Sequence, residues 1–207
     1  MAEVAAENVV VREMGLQPYV AVLELMRGFN AQRDAATQDE FWLLQHPPVY
    51  TLGLGADASF GPRRDNGIPV VKVERGGEVT YHGPGQLVLY TLVDLARRGI
   101  KVKQFVCLLE DALIDLLGSR AERRAGAPGI YVGGAKLASL GIRVSRGCAF
   151  HGLALNVDMD LRPFEDIDPC GYPGLRVTQT RDLGMPFTVT QAGQRLAALL
   201  MERLAHA

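Results

Sequence analysis

Three short segments of the sequence hold residues whose types could do chemistry, and Cys170 lies in the last of them, Ile167–Gly174. Proline and glycine surround this cysteine and predict a loop, whereas cysteines are among the residues most often buried in a core. Cys107 falls in an amphipathic helical pattern and Cys148 begins a strand-like run, so packing explains both. A free thiol is only slightly ionised at neutral pH. Cys170 is therefore a candidate nucleophile if a neighbouring group favours its thiolate.

The segment Gly133–Gly141 offers such a group in Lys136. The pair Gly133-Gly134 predicts a hairpin turn, and Lys136 opens the strand that follows. A lysine after a turn usually lies on the surface. A lysine whose amine enters a pocket supplies a positive charge instead, and can exchange a proton when partly desolvated. A Cys–Lys pair would thus combine a nucleophile with a proton carrier.

The segment Arg75–Gln86, the first of the three along the chain, has four glycines together with His82. Glycine permits close approach of the backbone to a ligand and leaves N–H groups free to point at an oxygen. Two interpretations remain open: a tight turn with a hydrogen-bonded histidine, or a binding loop whose amides stabilise an oxyanion. A cysteine hydrolase would instead pair the thiol with His82 or His151, and would also need an orienting Asp or Asn.

The elements that position these segments follow from the hydrophobic pattern. Apolar residues at helical spacing predict a helix over 102–117 that stops at Gly118. Further helices are predicted over 18–36 and 188–207, the latter with Thr190 as a possible cap. Strands are predicted over 8–12, 41–45, 49–52, 70–73, 86–92, 129–132, 136–145 and 149–157. Helical crossovers are too few for a parallel sheet, so we expect an α/β (α+β) fold whose mixed, largely antiparallel sheet is flanked by helices.

Bulk composition sets the class of protein. With 207 residues, 48% hydrophobic and 22% charged, the chain is expected to form a single globular domain over residues 1–207. A net charge of −1 argues against non-specific nucleic-acid binding. The sequence lacks an apolar run of about 18 residues, and residues 1–8 do not resemble a signal peptide, so we expect a cytoplasmic protein without membrane contact. Three widely spaced cysteines and scattered histidines predict free thiols and no metal site.

Read together, these segments closely resemble the lipoyl(octanoyl) transferases, bacterial enzymes that start lipoate synthesis. The resemblance covers nearly the whole chain. It rests on the motifs RGGEVTYHGPGQ (Arg75–Gln86), APGIYVGGAKLASLGIRVSRGC (Ala127–Cys148), FHGLALNVDMDL (Phe150–Leu161) and DPCGYPG (Asp168–Gly174), with GLQPY (Gly15–Tyr19) and FWLLQHPPVYTLG (Phe41–Gly53) before them.

The resemblance implies a catalytic core like that of biotin and lipoate ligases. It implies octanoyl transfer from the phosphopantetheine thioester of acyl carrier protein to a lysine ε-amine on the lipoyl domains of 2-oxoacid dehydrogenases or on glycine-cleavage H protein. Cys170 would carry the acyl group as a thioester, and Lys136 would favour the thiolate and shuttle protons. No cofactor and no metal are implied, and the protein is expected to be a monomer. The implied acyl-binding residues are Arg75, Gly76, Gly77, Glu78, Val79, Thr80, Tyr81, His82, Ser139, Leu140, Gly141, Gly152, Leu153 and Ala154.

Alternatives to a transferase remain. An ATP-dependent lipoate or biotin ligase would share the fold, but His82 is followed here by Gly-Pro-Gly-Gln and not by the His-Asp-x-Gly-Asn type of loop expected in lipoate ligases. A non-enzymatic acyl-binding module would need neither Cys170 nor Lys136. The basic cluster Arg97, Arg98, Lys101 and Lys103 is either a solvated face or a docking patch for the acidic carrier protein.

Overall fold

A seven-stranded sheet forms the centre of the protein in a computed structural model. The structure describes residues 9–57 and 61–207, apart from the side chain of Cys170. The strands across the sheet are β1 (Val10–Leu16), β2 (Glu40–Gln45), β6 (Gln86–Asp94), β10 (Cys148–Asn156), β9 (Ala135–Ser145), β8 (Gly129–Val132) and β7 (Glu122–Arg123). β1 and β2 are parallel, and the other neighbouring pairs are antiparallel. The predicted mixed, largely antiparallel sheet is confirmed.

A second, three-stranded sheet has β3 (Val49–Leu52) between β4 (Val70–Lys72) and β5 (Val79–His82). β3 pairs in parallel with β4 and antiparallel with β5. β5 lies in the glycine-rich segment Arg75–Gln86, for which we predicted a tight turn or a binding loop and no strand. Its Val, Thr and Tyr residues favour strands, but the glycines on both sides conceal so short a run.

The helices of the described residues are α1 (Tyr19–Gln32), α2 (Leu95–Arg98), α3 (Val102–Leu117) and α4 (Val189–Ala205). α3 has the predicted bounds. α1 is shorter than predicted because Arg33 is extended, with φ −57° and ψ 141°. α4 is capped by Thr188, whose side chain accepts from the Gln191 N–H in a capping box, so the expected cap at Thr190 is wrong.

Alternation along the central strand β6 explains how the layers assemble. Leu87 and Leu89 pack in one apolar cluster with α3 and α4, whereas Val88 and Tyr90 pack in another with α1 and the small sheet. Because both faces of β6 are covered, its sequence is apolar almost throughout. The small sheet and α1 thus share one face of the large sheet, and the space between the small sheet and strands β9 and β10 holds the candidate site.

Several boundaries differ from the predicted ones. β1 runs to Leu16 and not to Arg12, while residue 8 lies outside the described part. β10 begins at Cys148, β4 ends at Lys72, and β6 continues to Asp94. α2 and β7 were not predicted, since segments of two to four residues carry no periodic signal. In the described part of the chain, every helix is too short or too polar to cross a membrane.

Candidate active site

Lys136 is buried in the structure, with 2% of its surface exposed. Its Nζ donates to the carbonyl oxygen of Pro128 at 3.1 Å and to the hydroxyl of Tyr131 at 3.2 Å. The same Nζ lies 5.2 Å from the centroid of the Tyr131 ring, within cation–π distance. The lysine is therefore a desolvated, oriented amine and not the surface residue that commonly follows a turn.

Backbone hydrogen bonds join Lys136 to the segment that follows Cys170. The turn at Gly133 and Gly134, with φ of 56° and 76°, leads into β9. The Lys136 N–H then donates to the Arg176 carbonyl at 2.8 Å, and the Thr178 N–H donates to the Lys136 carbonyl at 2.9 Å. The chain that follows the segment Ile167–Gly174 is thus paired with Lys136.

Cys170 lies in a 3-10 turn, Pro169–Gly171, whose backbone the structure describes. The Gly171 N–H donates to the Asp168 carbonyl at 2.9 Å, and Arg63 forms an ion pair with the Asp168 carboxylate. Arg63 also donates to the Glu165 carbonyl at 2.7 Å, which further anchors the turn. The Cys170 side chain lies outside the description, so the pairing of its thiol with Lys136 stays a prediction.

A first cavity, of about 50 Å³, lies between the small sheet and strands β9 and β10. It brings together twelve of the implied acyl-binding residues: Arg75, Gly77, Glu78, Val79, Thr80, His82, Ser139, Leu140, Gly141, Gly152, Leu153 and Ala154. Sequence reasoning did not place four other lining residues there: Tyr19, Val88, Tyr90 and His151. They come from α1, β6 and β10. Tyr19 and His151 lie in the motifs GLQPY and FHGLALNVDMDL, but the resemblance did not assign either to the acyl site.

Tyr81 does not line this cavity, contrary to what the resemblance implies. Its ring packs 5.6 Å from the Tyr50 ring and 5.4 Å from the Phe164 ring, measured between centroids. Neighbouring residues of a strand point to opposite faces, so Thr80 and His82 reach the cavity while Tyr81 turns away. Tyr81 therefore anchors the small sheet to the segment that precedes Cys170.

A second cavity, of about 400 Å³, adjoins the first and contains Lys136. The two cavities share four lining residues: Gly77, Glu78, Leu140 and Gly141. Gly76 lines only the second cavity, together with Val106 of α3 and the half-exposed Tyr172. The site is therefore bipartite, with a smaller compartment beside a larger one that holds the amine.

Arg75 builds part of the wall between the two sheets. It is buried, and its guanidinium donates to the backbone and side-chain oxygens of Thr51, both at 2.8 Å. A methyl group on Gly141 would lie 3.2 Å from Arg75 Cδ, and one on Gly53 would lie 2.7 Å from its Nη1. Glycine at positions 53 and 141 thus makes room for Arg75.

A chain of hydrogen bonds connects His82 to the backbone beside Lys136. Gln86 Oε1 accepts from His82 Nδ1 at 2.7 Å, and Gln86 Nε2 donates to Asn156 Oδ1 at 2.9 Å. Asn156 Nδ2 in turn donates to the Thr178 carbonyl at 2.9 Å. Burial lowers the pKa of His82 to about 3, so its imidazole is a weak base and orients its neighbours.

His46 is fixed just as firmly behind the first cavity. Its Nδ1 lies 2.7 Å from the Gln17 carbonyl and must be the donor, so its Nε2 accepts from the Tyr90 hydroxyl at 2.8 Å. Burial lowers the pKa of His46 to about 4 and raises the pKa of Tyr90 well above its usual range. The back of the cavity is therefore neutral.

The basic cluster is divided by the fold. Arg97 Nη2 lies 2.9 Å from Asp39 Oδ1, and Arg98 Nε lies 2.7 Å from Asp39 Oδ2. Asp39 is fully buried, so both arginines hold the loop between α1 and β2 to α2. Lys101 and Lys103 remain exposed. The two arginines thus form ion pairs within the fold, and docking of the carrier protein on this cluster stays a prediction.

Comparisons with known proteins show the family to which the chain belongs. Residues 18–200 match the family described as the lipoyl protein ligase A/B catalytic domain. The chain is 52% identical over 198 residues to an octanoyltransferase of Dechloromonas aromatica, which covers 94% of this chain and 96% of that one. It is 53% identical over 200 residues to an octanoyltransferase of Thiobacillus denitrificans, with 95% and 91% covered.

Solved structures support the fold alone, because their sequence identity is low. A bi-partite lipoate protein ligase from Thermoplasma acidophilum superimposes with a TM-score of 0.70 at 14% identity, covering 96% of this chain and 91% of that one. A biotin protein ligase from Aquifex aeolicus in complex with biotin and ATP gives 0.56 at 11%, covering 96% and 70%. The implied likeness to biotin and lipoate ligase cores is confirmed. Among the described residues, His, Cys, Asp and Glu form no cluster suited to a metal ion.

Proposed function

The chain belongs to the lipoyl protein ligase A/B catalytic family and acts as an octanoyltransferase, and we propose that it carries the octanoyl group as a thioester on Cys170. The donor is octanoyl-acyl carrier protein. The acceptor is a lysine ε-amine on a lipoyl domain of a 2-oxoacid dehydrogenase or on glycine-cleavage H protein. The protein acts as a cytoplasmic monomer, without a cofactor or a metal.

The observation that carries this proposal is the backbone bridge between Lys136 and the residues after Cys170, Arg176 and Thr178. It pairs the chain that follows Cys170 with the strand that carries the buried amine. A nearby ammonium favours a thiolate, and a desolvated amine gives up its proton more readily. The arrangement supports a Cys–Lys pair.

In the first half-reaction, Lys136 takes the proton of the Cys170 thiol and the thiolate attacks the thioester carbonyl. The new carbon–sulfur bond forms, the bond to the pantetheine sulfur breaks, and the proton passes to the leaving thiolate. In the second, the acceptor amine attacks, the bond to Cys170 breaks, and Lys136 returns a proton from the amine to the cysteine. Thioester exchange is nearly balanced and amide formation is downhill, so ATP is not required.

The two cavities suit the two ends of the donor. The lining of the first includes the buried Val79, Val88 and Leu153, so its wall suits the apolar alkyl chain. The second opens beside Tyr172 and contains Lys136, so it fits the pantetheine arm and then the acceptor lysine. Because donor and acceptor use the same opening, the carrier protein leaves before the lipoyl domain binds, which gives ping-pong kinetics.

The test is a turnover assay with octanoyl-acyl carrier protein and an apo lipoyl domain, scored by the mass of the octanoylated lysine. We expect transfer without ATP and parallel lines in initial-rate plots. Transfer that requires free octanoate, ATP and Mg²⁺ would show a ligase and overturn the proposal. Release of octanoate without lysine modification would show a hydrolase, and binding without turnover an acyl-binding module.

A further inference from the structure

His151 occupies a strained position in β10. Its neighbours Ala149 and Leu153 pack toward α3 and α4, so regular alternation would point His151 the same way. Its φ is 61°, however, in the left-handed region that non-glycine residues rarely adopt. The imidazole therefore turns to the opposite face, stacks on Phe150 with ring centroids 5.1 Å apart, and lines the first cavity beside Gly152. Such strain persists where the surrounding structure enforces it, and it is concentrated at functional sites.

The hydrogen bonding of His151 also differs from that of the other two buried histidines. His46 has partners on both ring nitrogens, and His82 is held by Gln86. His151 is 1% exposed, and neither its Nδ1 nor its Nε2 hydrogen-bonds another described residue. Burial lowers the pKa of His151 to about 4, so the neutral ring presents one donor and one acceptor to the cavity. Polar atoms buried in this way are uncommon and call for a partner.

The strand registers place His151 at the end of the cavity away from the reacting groups. A methyl group added to Gly129 would lie 3.1 Å from Lys136 Nζ, and Gly129 pairs with Ser139. His151 pairs with Ile142, three residues further along β9. At a rise of about 3.3 Å per residue, these two levels are about 10 Å apart. β8 and β10 flank β9, so the two positions are also about 10 Å apart across the sheet and about 14 Å apart in all. An eight-carbon chain of about 9 Å that enters the first cavity from the side of Lys136 therefore extends towards His151.

We propose that His151 determines acyl specificity, closing the far end of the first cavity and hydrogen-bonding a polar group on the terminal carbon of the chain. The inference rests on the proposed octanoyl transfer and extends its substrate class to eight-carbon acyl chains with a terminal hydroxyl. An alkyl end leaves the imidazole without a partner, whereas a hydroxyl satisfies one of its nitrogens. The enzyme therefore accepts such chains even though the cavity wall is largely apolar.

The experiment compares octanoyl- and 8-hydroxyoctanoyl-acyl carrier protein as donors and reports the ratio of their kcat/KM values. For the unaltered protein we expect the two values within about tenfold of each other. His151→Phe keeps the end of the cavity closed but removes the hydrogen bond. We expect it to lower the value for the hydroxylated chain, relative to octanoyl, by about tenfold to a hundredfold. His151→Gln restores a donor and an acceptor, and should recover most of that loss.

The matched control is Phe150→Leu, which alters packing against the His151 ring without removing a hydrogen-bonding group. Its donor ratio should equal that of the unaltered protein. If His151→Phe still transfers the octanoyl group and its ratio of kcat/KM values is unchanged, the proposed role of His151 is wrong, whereas the proposed function stands. Absence of ATP-independent octanoyl transfer in the unaltered protein would refute the proposed function instead. If the phenylalanine variant does not fold, His151→Leu beside His151→Gln provides the same comparison.

Discussion

A single methyl group added at Gly129 should displace the amine of Lys136 from its position in the site. The φ of Gly129 is 138°, a conformation that L side chains rarely adopt. A Cβ there would lie 2.6 Å from the Ala138 carbonyl oxygen, 2.9 Å from Lys136 Cε and 3.1 Å from Lys136 Nζ. The carbonyl belongs to the sheet and cannot move without breaking strand pairs, so the lysine must shift.

The magnitude for Gly129→Ala follows from those contacts. Backbone strain of about 1–3 kcal/mol adds to an overpacking cost of about 1–3 kcal/mol. A total of about 3 kcal/mol would lower Tm by roughly 6–12 °C in a chain of this size. A shift of the amine by about 1 Å should slow the acylation of Cys170 by about a hundredfold.

The assay pairs thermal unfolding with single-turnover acylation from octanoyl-acyl carrier protein. Gly184→Ala is the matched control: its φ is 70°, and a Cβ there meets nothing within 4 Å. It should lose about 1–2 kcal/mol through strain alone and keep its acylation rate. Equal acylation rates for Gly129→Ala and Gly184→Ala would refute the claim that position 129 orients the lysine.

Further outcomes follow from contacts elsewhere in the structure. Lys136→Met should slow single-turnover acylation by about 10²–10⁴-fold, and Lys136→Arg should not restore it because guanidinium does not release its proton; acylation at the normal rate in either variant would exclude the proton carrier. Asp39→Asn should lower the free energy of unfolding in urea by about 3–5 kcal/mol, since buried guanidiniums lose their carboxylate. Burial opposes the ionisation of Asp39, but its hydrogen bonds lower the folded-state pKa below the ordinary value. Its contribution to the free energy of unfolding is therefore complete above the unfolded-state pKa and disappears as pH falls through the folded-state pKa. The Tm values of the parent and Asp39→Asn should converge in acid, and a difference in Tm that does not change with pH would contradict this. Gln86→Leu should break the hydrogen-bond chain that runs from His82 through Asn156, and should lower kcat more than it raises KM. The Tm of the variant measures any loss of stability separately. An unchanged kcat would show that the hydrogen-bond chain is only structural.

The sequence predicted those elements whose signal is local. The bounds of α3 followed from eight apolar residues at helical spacing, and those of β3 and β8 from short runs between turns. The strand β5 was missed because glycines on both sides outweigh its four residues. The cap of α4 was misplaced by two residues, since two threonines compete and only the geometry around Gln191 decides between them.

The candidate site was predictable in its parts but not in its assembly. Motif resemblance identified most of the residues around the first cavity, yet the bridge from Lys136 to Thr178 joins residues far apart in sequence. Arg97 and Arg98 looked like surface charges because nothing local shows that Asp39 is buried beneath them. The side chain of His151 points to the opposite face of the sheet because its φ is positive. No pattern of residue types in the sequence predicts that angle.

The central claim, a thioester on Cys170, is tested most directly by mass spectrometry of the purified protein after incubation with octanoyl-acyl carrier protein and no ATP. The account predicts one octanoyl adduct, located on the peptide that contains Cys170, which disappears when an apo lipoyl domain is added. Cys107 is exposed and provides an internal control for non-specific acylation. The account would be contradicted by an adduct on Cys107 alone, or by the absence of any adduct in a protein that modifies the lipoyl domain only with octanoate and ATP.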